Sequence, residues 1–308
     1  MKKQIHQITI ADFEKKFPNE LACRTYLQEN RWPNGIACPR CENVNVYEHS
    51  IKEHHWQCAA CSDNGYRFSV LVGTIFENTN KRLRDWFRVM HMMLSSEKAI
   101  SALQIYRVMA FGSYNTAHLM CSKIRIALGN EEFKQLVGVV EVDETLISGK
   151  IKNKLKDKRG GPGGTGSGGS QRRSHGGNEK IIVASALSRK GNVVARVVDN
   201  VSRATLTAFV RKGVSHKVPV LCADAWTSYS KLGVEYPHAF VDHYKGEYVV
   251  GAVHTNTVEG LWSIVKCGII GTFHKVSANY LPLYANEFEF RYNHRNNQDI
   301  FGAAIRAC

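Results

Sequence analysis

No run of apolar residues in this chain approaches the ~18 needed to cross a membrane. The N-terminus leads from Met1-Lys-Lys into Gln4-Ile-His-Gln, without the apolar core of an export signal. The expectation is a soluble, cytoplasmic protein. Acidic residues are the scarce charge: 27 Asp and Glu against 41 Lys and Arg give a net +14 over 308 residues. That imbalance favours polyanions, nucleic acid first and an acidic membrane surface second. Cysteine spacing is also irregular over most of the chain. Five of the nine, Cys23, Cys121, Cys222, Cys267 and Cys308, are scattered, as expected of reduced thiols.

The other four follow a rule. Cys38-Pro-Arg-Cys41 and Cys58-Ala-Ala-Cys61 are two Cys-x-x-Cys knuckles sixteen residues apart, with strand-like runs at 44–47 and 55–57 between them. Four thiolates at this spacing make a closed tetrahedral Zn²⁺ site, a zinc ribbon assigned to residues 36–78; four unliganded cysteines are the weaker alternative. His54 and His55 fall outside the knuckles and are expected at the surface. Residues 1–35 read as a helical adaptor, with one helix over 10–17 and another over 20–30, capped by Asn19, with Leu21, Arg24 and Leu27 in step. After the ribbon, 68–73 reads as a strand and 82–94 as a helix with Trp86, Val89, Met90 and Met93 inward. Within 79–130, helices over 97–109 and 114–128 flank Phe111-Gly-Ser113, the outline of a helix-turn-helix, though any helical hairpin shares it. On the DNA-binding reading, Tyr114, Asn115, His118 and Lys123 are the exposed contacts to groove or phosphate.

From Gly138 the pattern turns to strands: 139–144, then 180–187 and 192–198 around Arg189-Lys-Gly191. A helix capped by Ser202 runs to 214, and 218–224 is nearly all apolar, as a strand buried on both faces should be. A helical turn at 225–229 and a strand at 239–242 precede a helix over 255–266, whose Val258, Leu261, Trp262 and Val265 form one stripe. Three strands, helix, strand, helical turn, strand, helix is an RNase H-like order, an α/β domain with a mixed five-stranded sheet and flanking helices over 136–300. An insertion at about 150–179, crowded with Gly, Lys, Arg and Ser, is expected to be a disordered basic loop, either a solvated linker or a DNA clamp.

Asp143 ends one apolar strand, Asp224 ends another, and Glu259 opens the helix that comes after. Each has an ordinary reading: a turn-forming strand end, a cap for the next turn, and half of a capping box whose N-cap is Asn256. Together, three carboxylates from two strand ends and one helix are the ligand set of a divalent ion. Mg²⁺ (or Mn²⁺) takes hard oxygen ligands, and two such ions bracket an in-line displacement at phosphorus. These residues therefore point to a phosphodiester enzyme.

Five stretches carry a resemblance that covers nearly the whole chain: Arg31-Trp-Pro-Asn-Gly-Ile-Ala-Cys-Pro-Arg-Cys41, Val142-Asp-Glu-Thr145, Ala223-Asp-Ala-Trp-Thr-Ser-Tyr229, His254-Thr-Asn-Thr-Val-Glu-Gly-Leu-Trp-Ser-Ile-Val-Lys266 and Glu287-Phe-Glu-Phe-Arg-Tyr-Asn-His-Arg295. The chain resembles the ISXO2-like transposases of the IS1595 group of bacterial insertion sequences, relatives of DDE transposases and retroviral integrases. The resemblance implies Asp143 and Asp224 as the first two catalytic carboxylates and either Glu259 or Asn256 as the third. Glu259 is favoured because it lies 35 residues after Asp224 and precedes by seven Lys266, where related enzymes hold the transposon-end phosphate. Glu141 shares the strand face of Asp143 and ranks below it, being deeper in the strand. The implied activity is binding of terminal inverted repeats, metal-dependent cleavage at the ends, and joining of the 3′-hydroxyl to target DNA. Double-stranded DNA and a homo-oligomeric synaptic complex on the bacterial nucleoid are the implied partners and setting. Arg291, His294, Arg295 and the basic loop would hold backbone phosphates. Two rivals stand beside this reading: a catalytically silent, domesticated DNA-binding regulator, and a structure-selective nuclease on the same fold.

Overall fold

A computed structural model of the chain describes residues 8–61, 65–96, 98–130, 135–148, 180–224, 235–241 and 253–308, and for 148, 180, 224 and 241 the backbone alone. The expected basic insertion, the turn at 225–229 and Asp242 lie outside the described residues.

Helix α1 (Ile10–Lys16) opens on a capping box between Thr9 and Asp12. Helix α2 (Glu20–Arg31) is capped by Asn19, whose side chain accepts from Ala22 N at 2.9 Å. It buries Cys23 and Leu27 and leaves Leu21 exposed, so its inward stripe starts two residues later than the sequence suggests. The ribbon is an antiparallel sheet of β1 (Val46–Glu48), β2 (His55–Cys58) and β3 (Tyr66–Ser69) in that order. The strand expected over 68–73 stops at Ser69, because Gly73 at φ +75° and the Thr74 hydroxyl, donating to Leu71 O, fold the chain into turns. His54 is not a surface residue. Its Nδ1 lies 2.8 Å from Gln28 Oε1 and its ring against Trp56, which fastens the hairpin to α2.

Helix α3 (Leu83–Ser95) buries Leu83, Trp86, Phe87, Val89, Met90 and Met93. Its N-cap, Arg82, makes no side-chain capping bond; Glu20 of α2 takes the amides of Leu83 and Arg84 at 2.9 and 3.1 Å instead. Helix α4 (Ala102–Val108) is shorter than expected, since Ala99 at φ +70° turns the chain and Ser101 caps the helix only after that turn. With α5 (Tyr114–Leu128), capped by Ser113, it forms a helical hairpin.

The second half is built on strands β4 (Val140–Ser148), β5 (Lys180–Ser188) and β6 (Val193–Val198), helix α6 (Arg203–Gly213), and strands β7 (Leu221–Asp224) and β8 (His238–Val241). Helix α7 (Asn256–Cys267), a π-turn over Gly268–Phe273, helix α8 (Leu281–Asn293) and helix α9 (Ile300–Arg306) complete it. The sheet order is β6-β5-β4-β7-β8, antiparallel through β4 and parallel from β4 to β8. Val140, Val142, Ala184 and Ala186 pack with Leu206 and Val210 of α6. Ile147, Val183, Leu187 and Val193 pack with α7 and α8. A Cβ at Gly268 would lie 2.5 Å from Phe288 Cζ, so only glycine lets the π-turn pass α8 this closely.

Strand β4 outruns its expected end at 144. Pairing with β7 stops at Val142↔Ala223, but β5 continues from Asp143↔Ser185 to Ser148↔Lys180. Asp143 is therefore mid-strand, at the level where the parallel partner ends. Helix α9, which the sequence reading did not foresee, returns to the N-terminal half: Phe301 joins Phe13, Phe17, Tyr26 and Phe87, and Ile75 N donates to Cys308 O. One core thus unites α1 to α5, the ribbon and α9. Among the described residues no helix is long and apolar enough to cross a membrane.

Candidate active site and metal centres

Cys58 closes β2, Cys61 sits one 3₁₀ turn later, and Cys38 and Cys41 share a tight turn closed by Glu42 N donating to Cys38 O at 2.9 Å. The Sγ atoms of Cys38 and Cys61 are 3.4 Å apart, those of Cys41 and Cys58 3.7 Å, and all four lie within 4.8 Å of one another. Sulfurs at about 2.3 Å from one tetrahedral ion stand roughly 3.8 Å apart, so the set fits Zn²⁺. Burial opposes the Cys38 thiolate, but the amides of Arg40 and Cys41 together with the thiols of Cys61 and Cys41 outweigh it and bring the thiol down to about 7.

The second centre lies where β4 meets α7. Alternation along β4 turns Val140 and Val142 toward α6 and Glu141, Asp143 and Ile147 toward α7. Asp143 and Asp224 each stand one residue beyond the last β4–β7 pair, on neighbouring strands. Asp143 accepts from Trp262 Nε1 at 3.0 Å and from Glu144 N at 2.8 Å. Trp262 is almost one turn along α7 from Glu259, so the indole ties to Asp143 the helix that carries Glu259. Burial, with the negative charges of Glu144 and Glu259, pushes the Asp143 carboxyl up to about 6. Opposite it on β5, the Ser185 hydroxyl is buried with no hydrogen-bond partner among the described residues. Repelling carboxylates beside an unsatisfied hydroxyl suit a hard, hydrated divalent cation. The described atoms bring Asp143 and Glu259 into this neighbourhood; of Asp224 they give the backbone position.

Glu141, two residues earlier, has a different occupation. It is 0% exposed and accepts from Thr257 N (2.9 Å), Val258 N (3.0 Å), the Thr257 hydroxyl (2.9 Å) and Arg189 Nε (2.6 Å), with His254 Nδ1 at 3.3 Å. Those amides are the free donors of the first turn of α7, so Glu141 caps that helix from across the fold. Arg189 extends the clasp to His254 O at 2.9 Å. The capping box read into Asn256 and Glu259 does not form. Thr255 is the N-cap, its hydroxyl donates to Glu259 Oε1 at 2.9 Å, and Asn256 is the exposed first helical residue. Lys266 is exposed two turns beyond Glu259.

A buried pair went unread in the sequence. Arg125 of α5 and Glu287 of α8, 1% and 0% exposed, meet at 2.7 Å, and the guanidinium lies 4.0 Å from the Tyr284 ring centre. Along α8, Glu289 accepts from Ala195 N and Asn293 holds both backbone groups of Val193, so the helix joins the α4–α5 hairpin to the edge of the sheet. The one available signal was two acids spaced by a single residue in an aromatic helix.

Of the anticipated DNA contacts, Tyr114 and Asn115 are exposed, and His118 is half-buried between the rings of Tyr114 and Tyr280. Lys123 is not exposed: its ammonium donates to Ile75 O at 3.3 Å beside Trp86. Arg291 donates to Ser96 O, Arg295 to Tyr292 O and Gly191 O, and His294 stacks on Phe290.

Residues 135–293, from the lead-in to β4 to the end of α8, match the model of the ISXO2-like transposase domain. The chain belongs to the ISXO2-like transposase family. Residues 18–64 of this transposase match the transposase zinc-ribbon domain, which contains all four cysteines. It is similar to a Halobacterium salinarum protein described as an uncharacterized protein in transposable element ISH50, with 25% identity over 279 residues, 90% of this chain and 92% of that protein. A DNA-cutting transposase domain thus occupies the second half of the chain, and a ribbon suited to structural zinc the first.

Proposed function

We propose that this transposase binds the terminal inverted repeats of its element, cleaves there by metal-dependent hydrolysis and joins the freed 3′-hydroxyl to target DNA. The observation that carries the proposal is the parallel register of β4 and β7, which sets Asp143 level with Asp224 while Trp262 draws α7 and Glu259 to the same carboxylate. The strand order supports an RNase H-like domain. Asp143, Asp224 and Glu259 would hold one or two Mg²⁺ or Mn²⁺ ions, with Asn256 the alternative third ligand. Ions bound there supply activation of the attacking oxygen and stabilisation of the leaving one. The residues of the chain position that chemistry. Trp262 orients Asp143, Glu141 fixes the first turn of α7, and Lys266 meets a terminal phosphate. Tyr114 and Asn115 on α5, read as the second helix of a helix-turn-helix, contact the groove. Since Arg291 and Arg295 already serve backbone carbonyls, they position α8, and the phosphate contacts fall to exposed cations and the basic insertion. Cleavage within a homo-oligomeric synaptic complex in the cytoplasm completes the reading.

The test incubates purified protein and Mg²⁺ with a labelled fragment carrying the element's end. Nicks at the end and joined products are expected. Glu259→Gln should still bind but lose on the order of 1000-fold in cleavage, since several kcal/mol of transition-state stabilisation depends on the bound cation. A Glu259→Gln protein that cuts at the normal rate would move the third ligand to Asn256.

A further inference from the structure

We propose that the cleft between the first turn of α5 and the 272–280 loop receives a single unstacked nucleobase of DNA; the proposal rests on the transposase reading above. The cleft measures about 540 Å³, and Tyr114, His118, Phe273, Lys275, Tyr280 and Tyr284 are among its walls. That volume falls in the usual range of small-ligand sites, about 300–1,000 Å³, ample for a nucleotide and too small for a duplex.

The lining divides into a packed side and an open side. Phe273 and Tyr284 meet edge to face at 4.6 Å, and the Arg125 guanidinium, held by Glu287, lies against Tyr284. These rings already have partners within the fold. At the mouth Tyr114 and Tyr280 are 45% and 48% exposed, with His118 between them at 5.9 and 5.6 Å. Large rings left this open add little to the core; they offer π-faces. Lys275 stands exposed at the rim, next to His274, whose φ of +59° and ψ of −38° put a non-glycine residue in a strained turn. Aromatic faces with a cation at the edge are how proteins hold single-stranded nucleic acid, the base stacking and the ammonium meeting its phosphate. An apolar peptide fits less well, because three of these rings carry a hydroxyl and the chain is strongly cationic. The site adjoins the helix proposed to contact the groove, so a base leaving the duplex there has a short path into the cleft.

The experiment compares a blunt duplex with one of the same sequence bearing a single-stranded extension that contains 2-aminopurine. The protein should bind the extended duplex on the order of tenfold more tightly and change the 2-aminopurine fluorescence. Tyr280→Ala should erase both effects while blunt-duplex affinity stays unchanged; Tyr280→Phe, which keeps the ring, should restore them. Equal affinity for the two duplexes, or a preference that survives Tyr280→Ala, overturns the cleft proposal alone. Failure to bind either duplex overturns the DNA reading and the cleft with it. If Tyr280→Ala instead changes the mass of the DNA-free protein in sedimentation, the cleft is a contact between copies and the proposal fails.

Discussion

The ribbon's cysteines and the acids proposed to hold Mg²⁺ are placed by the chain in opposite ways. All four cysteines lie within 24 residues, on two tight turns whose own backbone bonds aim the sulfurs together. The acids come from β4, β7 and α7, separated by as much as 116 residues, and nothing local brings them together. A buried frame joins two of those elements: Glu141 and Arg189 fasten the first turn of α7 to β4, and Trp262 bonds Asp143 from one turn further along. The same device recurs in the N-terminal half, where Glu20 caps α3 from α2. Local clusters need their ligands; long-range clusters need ligands and a scaffold of satisfied buried polar groups.

Removing zinc tests the local side of this contrast and should have the largest effect. Metal affinity in such sites is folding free energy, on the order of 10 kcal/mol. Cys38, Trp56 and Phe68 belong to the core shared by α2, α3 and α9, so losing the ribbon's shape should loosen the whole N-terminal half. Chelation, or Cys38→Ser, is expected to lower the thermal midpoint in parallel with zinc content. Zinc-poor protein whose midpoint ignores the chelator would sink the idea.

On the long-range side, Glu141→Ala should destabilise by about 3–5 kcal/mol, because it removes the carboxylate that pairs with Arg189 and leaves two helix amides without their acceptor in a buried site. Urea unfolding measures it. A loss below about 1 kcal/mol would mean that water or a rearranged Arg189 replaces the cap. If the frame is what aligns the acids, the surviving folded protein should also show weakened Mg²⁺ binding.

This contrast also decides what could be read from the chain. The ribbon's spacing, the α7 stripe, the Ser202 cap and the strand order were legible because each rests on local periodicity or a short motif. Asp143 and Glu259 were legible as acids beside apolar runs. Glu141 was visible only as a rival ligand, since its partners Thr257 and Val258 lie 116 and 117 residues away. No local pattern marks out Arg125, because its charge is met by Glu287 162 residues on. The error over Asn256 has the same origin: a capping box is a local pattern, and a non-local carboxylate took its place. Helix α9 was missed because an apolar run does not say which of two cores it joins.

The smallest expected effect separates the two carboxylates on β4. Glu141 is matched by donors, whereas Asp143 is buried among other acids, which raises its carboxyl from 3.8 to about 6. Between those values the folded protein binds more protons than the unfolded chain, so without divalent ions stability falls as pH rises from about 4 to 6 and stays low above. Asp143→Asn removes the repelling charge and keeps an acceptor for Trp262. At pH 7 in chelator the variant should therefore be the more stable by about 2 kcal/mol, with the gap closing toward pH 4. Adding Mg²⁺ should raise the midpoint of the unsubstituted protein and leave that of the variant nearly unmoved. Thermal scans at pH 4 and 7, with and without Mg²⁺, measure all of this without relying on activity. An Asn variant less stable than its parent at pH 7 in chelator would mean that Asp143, like Glu141, is a matched structural acid, and the contrast between the two would collapse.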